Sequence, residues 1–280
     1  MRRHLTGIDH VVLVVRDLDA ARDTFARLGF TVSPRGHHTL GSQNHCVMFG
    51  HDYVELLVSP EGAPHPSRQY YTEFARAGDG LAGIALKSAD AKGAYTEALW
   101  AGFQPADPVE FSRPVELPEG RRDARFRVVQ LKPGSTPGGR LFVCEHLTRE
   151  LVWRPEYQRH ANGATGLAAV AIVCDDVART ANAYARLFDA KAKTIAEGLL
   201  VETGDTPIAL VTAQALARRL PDLWISARPV PLFAALFVRV ADRDAAERAL
   251  RAGGLEPRRM PDGSVAVGAD VAHGVALVLG

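Results

Sequence analysis

A chain of 280 residues, 47 % hydrophobic and 23 % charged, has the balance of an ordinary globular protein and the length for two domains of moderate size. Its formal net charge of +1 and lack of like-charge blocks argue against a nucleic-acid partner; the densest basic patch, Arg121, Arg122, Arg125 and Arg127, contains Asp123 and adjoins the acidic stretch 110–119. Cys46, Cys144 and Cys174 form no CxxC pair and no disulfide framework, Met1 to Leu5 is not followed by a signal-peptide core, and the apolar run Val11 to Val15 is far too short to cross a membrane. The expectation is a cytoplasmic protein with free thiols and no membrane partner.

Taken in chain order, the first segment reads as a strand from Gly7 to Val15, then Asp17 as a helix N-cap, whose carboxylate accepts backbone N–H groups left without partners. Leu18, Ala21, Phe25 and Leu28 recur at helical spacing, and Gly29 ends the helix. Strand-like runs follow near Phe30 to Ser33, Asn44 to Phe49 and Tyr53 to Val58. The pattern returns three times. A shift of 73 takes Asp17 to Asp90 and Gly29 to Gly102; a shift of 159 takes Asp17 to Asp176 and Leu28 to Leu187; a shift of 225 takes Asp17 to Asp242 and Gly29 to Gly254.

The second copy predicts strands at Ile84 to Leu86, Phe126 to Leu131 and Leu141 to Cys144, with a loop over 105–119. The third predicts Val170 to Val173, Gly198 to Glu202 and Ile208 to Thr212, and the fourth Leu236 to Val240, Ser264 to Val267 and Val275 to Leu279. Each copy is therefore a βαβββ module in an α+β fold. One helix covers one face of a small sheet, so two modules must pair, leaving a concave face free of helices for a ligand. The expected division is a first domain over 6–147, an inter-domain segment over 148–164 packed down by Trp153 and Tyr157, and a second domain over 165–280.

Alternation along strands assigns the faces. His10 groups with Ile8, Val12 and Val14; Glu55 groups with Tyr53 and Leu57 and points into the cleft; Glu145 groups with Leu141 and Val143, with Phe142 and Cys144 as the helix-facing set. A carboxylate in an apolar strand is costly unless it is paired or coordinated, so two carboxylates and an imidazole converging in one cleft invite a divalent metal. A lone strand histidine is more often structural, and each carboxylate could instead pair with a cleft arginine. Asn44 and His45 lie on the strand before that of Glu55, and His146 is a substitute ligand should its strand end or bulge. His37, His38 and His160 read as loop histidines.

The phrase Gly7-Ile-Asp-His-Val-Val-Leu-Val-Val-Arg-Asp-Leu-Asp-Ala-Ala21 resembles the opening of vicinal oxygen chelate modules, as in glyoxalase I, extradiol dioxygenases, and fosfomycin- and bleomycin-resistance proteins. The stretch from Phe142 to Ala164 is similar to the glyoxalase-like branch. The resemblance implies two domains of paired modules with concave mixed sheets, and a metal held by His10, Glu55 and Glu145. The fourth ligand place falls on Gly83, which cannot ligate. That leaves either an open coordination site on Zn, Fe, Mn, Ni or Co, or no metal. In the second domain Ala169 and Ala235 stand where His10 stands in the first, so no such site is expected there. The implied function is a metal-dependent lyase, isomerase or dioxygenase acting on a small oxygenated molecule, with Glu55 or Glu145 moving a proton. The alternative is a small-molecule sequestration protein of the bleomycin-resistance type. A homodimer is compatible with either.

Overall fold

The computed structural model describes residues 2–62, 65, 68–118, 120–224 and 228–280. The first module is β1 (Ile8–Val14), α1 (Leu18–Arg27), β2 (Gly36–His37), β3 (Gln43–Met48) and β4 (Tyr53–Val58). After α2 (Gln69–Arg76) comes the second: β5 (Gly80–Ser88), α3 (Ala91–Trp100), β6 (Val109–Leu117), β7 (Gly120–Gln130) and β8 (Arg140–His146). The third is β9 (Ala164–Val173), α4 (Val177–Phe188), β10 (Ala192–Ile195), β11 (Gly198–Val201) and β12 (Ile208–Val211). Following α5 (Ala213–Arg219), the fourth is β13 (Leu232–Val240), α6 (Arg243–Ala252), β14 (Arg258–Arg259), β15 (Val265–Val267) and β16 (Ala276–Leu279). Asp17, Asp90, Asp176 and Asp242 each cap their helix by accepting backbone N–H bonds, so the four repeats are equivalent where the sequence says they are.

Two eight-stranded mixed sheets result, ordered β2-β3-β4-β1-β5-β8-β7-β6 and β10-β11-β12-β9-β13-β16-β15-β14. In each, modules meet through an antiparallel pair of their first strands, β1 with β5 and β9 with β13. The first sheet curls until its edges meet: the Thr39 N–H donates to the Ser112 carbonyl at 3.0 Å, and the Ser112 N–H to the Thr39 hydroxyl at 3.3 Å. The helix-facing residues of both sheets join one continuous hydrophobic core, including Phe25, Leu56, Leu141, Tyr184 and Leu236.

Three expectations are corrected. The stretch 105–119 is not a loop but mostly β6, a polar strand hydrogen-bonded along its length to β7; one edge strand of a curled sheet buries too little for its sequence to alternate cleanly. The strand expected at Phe30 to Ser33 lies instead at β2, just beyond it. The concave faces are not bare. Tyr71 of α2, with Leu151 and Val152 from the segment after β8, packs into the first, and Ala215 and Leu216 of α5 pack into the second. Both added helices follow the last strand of a module, where the chain must cross the open face to begin the next pair.

Between the halves, Asp52 is fully buried and accepts from the Leu167 N–H and the Thr206 hydroxyl, each at 3.0 Å. Burial pushes its carboxyl up, and those two hydrogen bonds only partly offset the rise. A raised carboxyl contributes most below its unfolded value near about pH 4 and loses that contribution as pH climbs through the folded value. Asp52→Asn should therefore match or exceed the wild-type stability at pH 7 and lose that advantage in acid. Its amide can donate to the Thr206 hydroxyl, which already sits 3.1 Å from the Leu167 carbonyl and can turn its proton there. Asp52→Ala, which strands the Leu167 N–H, should cost about 2 kcal/mol. Urea midpoints at two pH values check both, and a large loss on Asp52→Asn at pH 7 would contradict them.

Candidate metal centre and ligand cleft

The site grows from a defect in β1. The pairing of β1 with β5 slips between Ile8 and His10, so Asp9 is an extra residue and both Asp9 and His10 turn toward the concave side. Ile8 falls on the helix side instead, correcting its expected grouping with His10. The bulge is built into every module, at Ala82 in β5, Ala168 in β9 and Ala234 in β13. Only in the first does it carry an acid.

That acid binds two imidazoles. Asp9, 1 % exposed, accepts from His10 Nδ1 at 2.7 Å and from His146 Nε2 at 2.9 Å. Burial would raise its carboxyl, but the pull of His146 and the hydrogen bonds from both histidines hold it far below the usual carboxylate range. With Nδ1 as donor, His10 turns its Nε2 lone pair toward Glu55, whose Oε2 lies 3.7 Å away. The His10 ring is clamped by Tyr53, stacked at 4.3 Å, and by the edge of Phe142 at 5.6 Å. Glu55 enters the cleft as expected, on the same face as Tyr53 and Leu57, and Asn44 Nδ2 donates to its Oε1 at 2.6 Å.

Glu145 does not join them. Leu141 and Val143 belong to the helix-side core, so Glu145 lies on that face and accepts from the Ala91 N–H at the start of α3 and from Arg127, both at 3.0 Å. Phe142, Cys144 and His146 face the cleft. Both faces of β8 are apolar, so alternation gives the period of the strand but not which side is inside. His146 therefore takes part, and Trp153 packs edge-on against it at 4.8 Å. His45 is also placed away from the cleft: it pairs with Leu56 and donates from Nδ1 to the Ser33 carbonyl at 2.7 Å. His160 is structural, accepting the Thr31 N–H and donating to the Met48 carbonyl. His38, read as a loop residue, lines the cleft with Nε2 3.9 Å from Glu55, and burial, then Arg68 and Arg113, hold its imidazole well below the ordinary histidine value.

Register identifies the two missing ligand places. In the first module His10 pairs with Tyr53 and Glu55 follows two residues later; in the second Gly83 pairs with Arg140, so Phe142 stands where Glu55 stands. Any Cβ at Gly83 would come within 2.9 Å of the Arg140 carbonyl oxygen. Of the four corresponding places, only those of His10 and Glu55 carry a side chain able to ligate. The 3.7 Å between His10 Nε2 and Glu55 Oε2 exceeds a hydrogen bond and suits two ligands about 2.0–2.2 Å from one ion. Asp9, His10, Cys144 and His146 also bring donor atoms within 4.8 Å of one another. There, however, Asp9 already takes one nitrogen of each imidazole, and burial pushes the Cys144 thiol well above its ordinary range, which keeps it protonated.

The cleft encloses about 30 Å³ and adjoins a second chamber of about 160 Å³ that shares Cys46, Arg113 and Val152 with it. A larger groove of about 500 Å³ runs between the halves past Arg140, Cys174 and Asp176, but Asp176 there is the cap of α4 and no imidazole enters it. The converging donors are in the small cleft.

Fold and site together define a protein of the vicinal oxygen chelate class. The model of the glyoxalase-like domain family matches residues 8–188, and the chain belongs to that family. Its fold is shared with a hypothetical protein from Staphylococcus aureus, at 12 % identity over 98 % of both chains with a TM-score of 0.70. It is also similar to a mutant of 4-hydroxymandelate synthase from Streptomyces coelicolor, at 16 % identity over 92 % of this chain and 78 % of that one, TM-score 0.60. A Mn(II)-bound glyoxalase from Novosphingobium aromaticivorans matches at 11 % identity over 99 % of this chain and 82 % of that one, TM-score 0.59. No curated protein matches the sequence. Among the described residues no helix is long and apolar enough to cross a membrane.

Proposed function

We propose that the cleft of the first sheet is the centre of a metal-dependent lyase, isomerase or dioxygenase acting on a small oxygenated molecule, with His10 and Glu55 as its protein ligands. The observation that carries this reading is the His10 Nε2 lone pair aimed at Glu55 across 3.7 Å while Asp9 fixes the other ring nitrogen. A bound divalent ion would supply Lewis-acid stabilisation of negative charge developing on a substrate oxygen. The protein's own part is orientation. Asp9 sets the His10 tautomer, and Asn44 steadies Glu55 through Oε1 while Oε2 faces the His10 lone pair. Val152 lines the cleft and Leu151 packs beside it, giving it an apolar wall. Elemental analysis after loading with Mn, Fe, Zn, Ni or Co tests the reading: one ion per chain supports it, and none removes its basis. A second reading, non-catalytic binding of a small molecule, is favoured by Gly83 and Phe142, which provide no donor at two of the four ligand places.

A further inference from the structure

Among the described residues the cleft lining holds two arginines and one carboxylate. Arg68 and Arg113 are 8 % and 9 % exposed, and both line it. Arg68 Nε is buried with no hydrogen-bond partner among the described residues. Glu55, the one described carboxylate in the lining, makes its close ionic contacts with His10 and His38 rather than with either arginine. The Arg68 guanidinium lies 5.8 Å from the rings of both Tyr71 and Phe111, which shape its surroundings without neutralising it. A buried cation without a close ionic partner is costly, and both arginines line this one cleft.

We propose that the cleft receives a small molecule bearing a carboxylate, held by Arg68 and Arg113, with an apolar body seated in the adjoining chamber. This rests on the reading of the cleft as a small-molecule site and adds the class of molecule. The guanidinium geometry selects the headgroup. A planar guanidinium fork matches the two oxygens of a carboxylate. The chamber selects the body: it meets the cleft at Arg113 and has an apolar wall of Met48, Val115, Leu151, Val152 and Tyr157, with Arg35, His37 and Glu116 also lining it. The ligand class is therefore a monocarboxylate with a compact apolar or aromatic tail.

Calorimetric titration of the full chain, as isolated and after chelation, with phenylacetate, phenylacetamide and inorganic phosphate tests this. Phenylacetate should bind at least about tenfold more tightly than the other two, and Arg68→Met should remove that margin. Amide or phosphate binding as tight as that of the acid, or no binding of the acid, overturns the inference. The comparison of acid with amide on the wild-type protein stands even if Arg68→Met fails to fold, and Arg113→Met provides a second variant. The chelated arm separates this inference from the function it rests on. Carboxylate binding that vanishes with the metal assigns the anion to the metal and sinks the arginine pair alone. Carboxylate binding in a protein that takes up no metal sinks the metal centre alone.

Discussion

Asp9→Ala is expected to be the most damaging single change in the protein, destabilising it by about 3–5 kcal/mol at pH 7. The side chain is 1 % exposed, and its loss strands His10 Nδ1 and His146 Nε2 without an acceptor in a buried apolar setting. Asp9→Asn should fall between wild type and Ala, since its carbonyl can accept from one imidazole while its amide group faces the other. The pH dependence has a definite sign. The folded carboxyl is depressed, so its contribution is complete above the unfolded value near about pH 4 and is lost as pH falls toward the depressed folded value. The gap between wild type and Asp9→Asn should therefore be widest at neutral pH and narrow below about pH 4. Urea midpoints across pH 2–8 measure it; an Asp9→Ala midpoint close to wild type, or a gap that widens in acid, would contradict the geometry. Because Asp9 also fixes the tautomer of His10, metal affinity should fall about 10–100-fold in Asp9→Asn.

The second large effect separates the ligands from the residue beside them. His10→Ala and Glu55→Ala should each lower metal affinity by about 100-fold or more, because the proposed centre has only two protein ligands and either loss leaves one. Glu145→Gln should retain the metal. Its carboxylate serves the α3 N-terminus and Arg127, so its replacement should cost only about 1 kcal/mol of stability. Metal titration of the three variants, with circular dichroism as a check on folding, decides the matter. A Glu145→Gln protein that loses its metal while His10→Ala keeps it would reverse the assignment.

Much of the fold is legible in the sequence, because local rules write it. Four Asp caps, four helices and four opening strands recur at fixed offsets, and pairing follows from the need of each one-sided module to bury its other face. The cleft-facing position of Glu55 was legible because its strand alternates and a carboxylate among apolar neighbours demands an explanation. Asp9 was hidden by a bulge, which breaks the alternation that places side chains; comparing positions 9, 82, 168 and 234, where one aspartate faces three alanines, is the signal that could have exposed it. Tertiary structure alone decided the rest. It chose which apolar face of β8 turns inward and so exchanged Glu145 for His146. It folded the His38 turn and the buried Arg68 over the cleft, and it laid α2 and the segment after β8 across a face expected to be open. These outcomes depend on contacts between residues far apart in the chain, and neither the period of a strand nor the cap of a helix encodes them.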